Sequence, residues 1–179
     1  MTDARPSAIS IARLTTPIGV ALLATDQAGV LRAFNWTDYE PQMRTWLARH
    51  YPQTPLVEGA APATVRLPFE AYFAGEAGAL AAVPWRAAGT AFQLSVWRAL
   101  CDIPPGETLS YAGLAARIGR PTAMRAVGLA NGANPLALVA PCHRVIGADK
   151  TLTGYGGGLH RKRWLLTHEG ASFKDRQAA

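Results

Sequence analysis

The chain has 179 residues, 49% of them apolar and 17% charged. That composition can fill a core and excludes a disordered chain. Lysine and arginine number 18 against 12 acids, a formal net charge of +6, which excludes an acidic solvating protein and points to a polyanionic partner. The excess is one-sided. Residues 1–90 hold seven arginines and seven acids, whereas residues 91–179 hold 11 basic residues and five acids, so the second half is expected to meet phosphates. Two cysteines, Cys101 and Cys142, are too few for a disulfide framework. There is no uncharged apolar run of about 18 residues, hence no expected membrane span. Arg5 and Arg13 bracket too few apolar residues for a signal peptide. A reducing compartment is expected: cytoplasm, or nucleus in a eukaryote.

The first 36 residues read as strands. Ala8–Arg13 alternates apolar and polar, a turn follows at 16–19, and Val20–Thr25 and Val30–Trp36 continue around a second turn at Gln27–Gly29. These make a small antiparallel sheet. Pro41–His50 carries Met43, Trp46 and Leu47 at helical spacing and is broken by Pro52 and Pro55. A second helix is predicted over Phe69–Gly75, with Tyr72 and Phe73 buried. The Gly, Ala and Pro residues between Gly75 and Gly89 read as a connection between domains.

The second half reads as helical. Phe92, Val96, Trp97 and Leu100 share a helical face, which places Cys101 in the core, and Pro104-Pro105-Gly106 ends that helix. Ser110 is placed to cap the next helix, with Leu114, Ala115 and Ile118 on its apolar face. After the turn Gly119-Arg120-Pro121, Thr122 is placed to cap a third helix running to about Ala130 and stopped by Asn131-Gly132. The pair is a helix-turn-helix candidate. Ala123, Ala126 and Ala130 keep the third helix slim, and Gly128 costs it about 1 kcal/mol relative to Ala. That suits close approach to a nucleic-acid groove, with Arg125 as the long basic side chain. The fold class is α+β: residues 1–88 form an N-terminal domain with the sheet and helices, residues 89–172 form a mainly helical domain with the helix-turn-helix, and 173–179 form a tail.

Pro141-Cys142-His143-Arg144-Val145 follows an apolar run, Leu136–Ala140, read as a buried strand or extended segment. In an extended chain neighbouring side chains point to opposite faces. His143 is then poorly placed for a direct ion pair with Cys142, and a bridging water is the natural link. No other cysteine lies nearby and the histidine spacing fits no familiar ligand set, so no metal is expected.

The run at 141–145 resembles the active-site signature of the O6-alkylguanine-DNA alkyltransferase family, the methylated-DNA–protein-cysteine methyltransferases. Phe92-Gln93, Val96-Trp97, Ile103-Pro-Pro-Gly-Glu-Thr108 and Ser110-Tyr111 extend the match. Arg125-Ala-Val-Gly128, Asn134-Pro135, Gly154-Tyr-Gly-Gly-Gly-Leu159 and His168-Glu-Gly170 continue it over residues 90–170. The first 85 residues are similar in layout only, with Tyr72-Phe-Ala-Gly-Glu76 fitting the family habit.

The resemblance implies a mechanism. Cys142 would take the alkyl group from guanine O6, activated through water by His143, which Glu169 would orient. Asn134 would hold the turn between the third helix and the active-site segment. Tyr111 would donate to the guanine ring nitrogen as charge builds on the leaving base. The backbone of Cys142 and Val145 would accept from the exocyclic amine, the backbone at Gly156 would face O6, and Tyr155 and Asn131 would line the base pocket. Asn131 stands where some members carry an apolar residue. The base must be flipped out of the duplex to react. The family presses its recognition helix into the minor groove, which assigns Thr122, Ala123, Arg125, Ala126, Gly128 and Ser110 to DNA, with Arg125 filling the emptied stack. No cofactor is implied. The first half has no cysteine, so the N-terminal zinc of some members is not expected. The implied partner is double-stranded DNA carrying O6-alkylguanine, bound by a monomer, with cooperativity and activity on O4-alkylthymine left open. The rival readings are a non-catalytic lesion-binding protein of alkyltransferase-like type, which lacks the reactive cysteine, a helix-turn-helix regulator, and a Cys–His hydrolase.

Overall fold

A computed structural model describes residues 5–175. The chain divides between Ala88 and Gly89 into two compact units. The architecture is α+β. Unit one holds a four-stranded sheet with two helices, and unit two is mainly helical.

In unit one, β1 (Ile9–Thr16) and β2 (Gly19–Asp26) form an antiparallel hairpin, with Thr16 opposite Gly19. Strand β3 (Leu31–Trp36) pairs antiparallel with β2. The sheet is not purely antiparallel, as the sequence suggested. A three-residue strand, β4 (Leu56–Glu58), pairs in parallel with β1, giving the order β3-β2-β1-β4. A strand this short has no period to read, and its pairing is non-local. Residues 21–26 of β2 are all buried because both faces of the sheet are covered. On one face Ile11, Leu22, Ala24 and Ala33 pack with Met43, Leu47 and Tyr51 from and just after α1 (Glu40–His50). On the other, the Phe34 ring stacks on Phe69 of α2 (Ala63–Phe73) with centroids 5.3 Å apart.

Helix α2 starts six residues earlier than predicted, because the chain stays helical through Pro68. A helical proline removes a hydrogen bond and costs about 3 kcal/mol. Val65, Phe69 and Tyr72, all fully buried on one face, offset that penalty. The predicted connection at 75–89 is partly built into this unit. Leu80 is buried in a 3-10 turn over Ala79–Ala82, and Trp85 bridges to Leu31.

In unit two, α3 (Ala91–Cys101) opens with a reciprocal cap: Thr90 Oγ1 accepts the Gln93 N–H, and Gln93 Oε1 accepts that of Thr90. Strand β5 (Leu109–Ser110) leads into α4 (Tyr111–Arg117), where Ser110 Oγ accepts the Gly113 N–H at 3.0 Å. After the turn, α5 runs over Met124–Gly132. It starts one residue later than predicted. Ala123 is its N-cap, with no side-chain cap bond, so Thr122 lies in the turn and is no cap. Its end passes the predicted stop because Asn131 and Gly132 are themselves helical. Trp97 Nε1 donates to Ala130 O at 2.9 Å, pinning α3 to α5.

Leu136–Ala140 is no strand. It is a turn in which Leu138 takes a left-handed φ of 74° and Ala140 N–H donates to Leu136 O. Cys142–Arg144 then forms a 3-10 turn, and β6 (Val145–Ile146) pairs in parallel with β5. Helix α6 (Leu159–His168) ends at Gly170, whose φ of 73° allows two closing bonds, Gly170 N–H to Thr167 O and Ala171 N–H to Leu166 O. Glu169 is thereby fixed as the C-cap residue of α6. Residues 173–175 return to the loop before the last helix, where Lys174 N–H donates to Lys150 O. The rest of the predicted tail, 176–179, lies outside the described residues.

Gly170→Ala puts a Cβ on a left-handed residue and is expected to cost about 1–2 kcal/mol, read as a shift in the urea midpoint at unchanged slope.

Candidate active site

The site is built where β5 and β6 pair. Leu109 lies opposite Val145 and Ser110 opposite Ile146, which brings Tyr111, the first residue of α4, beside the segment carrying Cys142. The 3-10 turn changes the geometry expected for that segment. Its residues are rotated by about 120° each, so Cys142 and His143 do not point to opposite faces. Cys142, His143 and Arg144 are all buried.

The Glu169 carboxylate, its side chain fully buried, meets His143 Nε2 at 2.9 Å through Oε1. Arg144 grips it with two prongs, Nε to Oε2 and a terminal nitrogen to Oε1, both at 2.9 Å, while its other terminal nitrogen donates to Ile103 O. Burial pushes the Glu169 carboxyl up, but its contacts with His143 and Arg144 more than offset this and hold it well below the usual carboxylate range. Burial lowers His143, Glu169 pulls it back, and the charges of Arg144 and Lys162 lower it further. The pair is therefore an ionised carboxylate and a neutral imidazole. Because a carboxylate only accepts, Nε2 carries the ring proton and Nδ1 is the basic atom. His143 Nδ1 is buried with no hydrogen-bond partner among the described residues.

Asn134 closes the loop between α5 and the 3-10 turn. Its Nδ2 donates to Ala140 O at 2.7 Å and its Oδ1 accepts from Leu136 N at 3.0 Å. Burial pushes the Cys142 thiol up, while a hydrogen bond from Asn134 and the charge of Lys162 pull it down. Cys101 is not in the core as predicted. It is exposed at the end of α3. Its single S–H lies within reach of Trp97 O at 3.4 Å and Val139 O at 3.6 Å, and desolvation of the sulfur with Asp102 nearby pushes it up to about 11. The two thiols thus differ sharply in their surroundings.

The other assigned residues fall around this centre. Tyr111 Oη is 3.0 Å from Thr153 Oγ1. Tyr155 sets its ring edge-on to His143 at 6.4 Å, and its buried hydroxyl has no partner among the described residues. The carbonyls of Cys142 and Val145 each already accept one bond, from Val145 N and from Lys162 Nζ at 2.6 Å, and each keeps a second lone pair. A Cβ on Gly156 would meet nothing within 4 Å. Asn131 is buried and its Oδ1 has no partner. On α5, Arg125 and Ala126 are exposed, as is Thr122 in the turn, while Ala123 and Gly128 are half-buried. A Cβ on Gly128 would lie 3.7 Å from the Tyr111 ring, an ordinary van der Waals contact. Ala130 is buried rather than on the slim outer face.

Sequence reasoning missed Arg144, Lys162 and Thr153, and also the exposed Met124 and Leu129 beside Arg125. Arg144 was legible as a charge inside an otherwise buried motif. Lys162 and Thr153 carried no local signal. Among the described residues, no group of three or more His, Cys, Asp and Glu side chains is placed to hold a metal ion. No described helix is long and apolar enough to cross a membrane.

The family described as 6-O-methylguanine DNA methyltransferase, DNA binding domain, matches residues 91–171. The methylated-DNA–protein-cysteine methyltransferase of Salmonella typhimurium is 44% identical over 160 residues, 88% of this chain and 94% of the relative. This chain belongs to the methylated-DNA–protein-cysteine methyltransferase family. The family member from Mycobacterium tuberculosis is 47% identical over 158 residues, 87% of this chain and 89% of its own. The crystal structure of the M. tuberculosis O6-methylguanine methyltransferase superposes with a TM-score of 0.73, covering 90% of this chain and 93% of the other. The M. tuberculosis protein in complex with DNA superposes with a TM-score of 0.74 at 40% identity, covering 90% and 92%. The matched half carries the DNA-binding domain.

Glu169→Gln leaves the Arg144 guanidinium buried without its counter-charge, and is expected to cost about 3–5 kcal/mol. The pH dependence has a definite sign. The Glu169 pKa is lowered by folding, so below its ordinary value near 4.5 the unfolded chain binds more protons. Stability supplied by Glu169 is therefore present above that pH and lost as pH falls. The wild type should show a steeper acid-side decline than Glu169→Gln, measured as unfolding free energy against pH.

Proposed function

We propose that this chain repairs O6-alkylguanine in double-stranded DNA by moving the alkyl group irreversibly onto its own Cys142, once per molecule and without a cofactor. The observation that carries this reading is the buried Cys142–His143–Glu169 group, with a neutral imidazole whose basic Nδ1 has no partner among the described residues. The Cys142 proton passes through a water to His143 Nδ1, and Glu169 stabilises the imidazolium that forms. The thiolate attacks the alkyl carbon. The S–C bond forms as the C–O6 bond breaks, and the electron pair moves into the purine, where the Tyr111 hydroxyl hydrogen-bonds the ring nitrogen. The proton lost by the thiol ends on the released guanine. A thioether has no easy leaving path, so the protein is consumed.

The base reaches this site by leaving the duplex. Arg125 fills the gap, Thr122, Ala123, Ala126 and Gly128 let α5 lie in the minor groove, and Ser110 joins the DNA-facing set while capping α4. The free lone pairs on the Cys142 and Val145 carbonyls suit the exocyclic amine. Gly156 faces O6 through its backbone, and Tyr155 and Asn131 line the pocket. The partner is duplex DNA carrying the lesion, bound by a monomer. A chemistry that needs Cys142 reduced fits the cytoplasm.

Incubation with duplex DNA carrying labelled O6-methylguanine should place one label per molecule, mapped to Cys142 by mass spectrometry. Cys142→Ala should bind the same duplex and take no label. Repeated turnover, or label on Cys101, would overturn the reading. Flipping involves a few kcal/mol of unstacking and unpairing, so Arg125→Ala should lose far more activity on the duplex than on free O6-benzylguanine. Equal losses on both would remove Arg125 from the extrusion step.

A further inference from the structure

The Tyr111 hydroxyl does not stand alone. It lies 3.0 Å from Thr153 Oγ1. Lys162, fully buried on α6, sends its Nζ to Val145 O at 2.6 Å, to Thr153 O at 3.3 Å and to Thr153 Oγ1 at 3.5 Å. One ammonium thus ties together two strips of chain, the end of the active-site turn and the loop before α6.

From this contact set we infer that Thr153 is a positioning residue for alkyl transfer, orienting the Tyr111 hydroxyl and linking it to the Lys162 ammonium. The inference rests on the reading that Tyr111 hydrogen-bonds the leaving base. An ammonium only donates, so Lys162 Nζ donates to Thr153 Oγ1. The threonine hydroxyl keeps its own proton, and in the inferred arrangement it donates this proton to Tyr111 Oη. The Tyr111 proton then points away from Thr153, toward the base. Donors run in one direction, Lys162 to Thr153 to Tyr111 to purine nitrogen, and each bond polarises the next in a low-dielectric site. Burial lowers Lys162 to about 8, so it still holds its third proton at neutral pH. No proton need be transferred along the chain. The Lys162 charge strengthens the Tyr111 hydrogen bond as negative charge builds on the guanine.

The test uses the full chain with free O6-benzylguanine, reading the maximal transfer rate and the half-saturating concentration separately. Thr153→Val keeps the shape and removes the hydroxyl. It should slow the maximal rate on the order of tenfold, the worth of one charge-linked hydrogen bond, with little change in half-saturation. Thr153→Ser should restore the rate. In a Tyr111→Phe background, Thr153→Val should cause no further loss, because the group it orients is gone. Thr153→Ala removes the same hydroxyl with less volume and carries the same expectation should the valine variant fold poorly. If both hydroxyl-free variants react at the wild-type rate while Tyr111→Phe is slow, the inference fails and the Tyr111 reading stands. An undiminished Thr153→Val loss in the Tyr111→Phe background makes Thr153 a packing residue and also overturns the inference. A wild-type rate for Tyr111→Phe removes both together.

Discussion

The buried Glu169 carboxylate accepts from His143 Nε2 and twice from Arg144, and the protonation state of the active site follows from that clamp. A carboxylate this deep is costly to ionise unless its charge and lone pairs are met. Arg144 supplies a permanent counter-charge, so Glu169 stays ionised without needing a charged imidazole. His143 can therefore be neutral and basic, with its proton confined to Nε2 by a partner that can only accept. Arg144 is next to His143 in sequence, and the 3-10 turn sends both toward the same carboxylate. An extended segment would have divided them between two faces.

The clamp depends on how its two ends are delivered. Glu169 is placed by the end of α6, where Gly170 takes the left-handed turn that lets the last carbonyls be satisfied. Gly106 presses on the same spot, since a Cβ there would come within 3.0 Å of Glu169 O. The other end is placed by Asn134, which spans the loop from α5 to Ala140, and by the two-residue pairing of β5 with β6. Leu138, held in a left-handed conformation uncommon for its type, lies inside the loop that Asn134 closes. Local backbone strain of this kind is held in place by the surrounding bonds.

Charge illustrates how burial changes the meaning of a count. The second half holds the whole formal excess, yet Arg144, Arg161 and Lys162 are buried. Arg144 balances Glu169, Arg161 donates to Gly157 O, and Lys162 caps backbone carbonyls at Val145 and Thr153. Arg98, Arg117, Arg120 and Arg125 are exposed. The surface charge of that half is therefore smaller than the composition implies. The outer face of α5 is also less slim than its alanines suggest, because Met124 and Leu129 stand out beside Arg125 while Ala130 packs inward.

Residue type and short-range spacing determined the hairpin of β1 and β2, helix α1, and the helix pair α4 and α5, because each is written in a local period or a contiguous motif. Family membership was legible for the same reason, since its signature runs are contiguous. Tertiary structure alone decided the rest. Parallel pairing of β4 with β1 joins residues far apart in sequence. Helix α2 continues through Pro68 only because Val65, Phe69 and Tyr72 find a core to fill. Leu136–Ala140 is apolar like a strand but must turn to bring Asn134 to Ala140. Lys162 reaches Thr153, the partner of Tyr111, only once α6 has packed. Hydrophobic patterning states which side chains leave water, whereas the partner that satisfies a buried polar atom is chosen by three-dimensional proximity, which no local window contains.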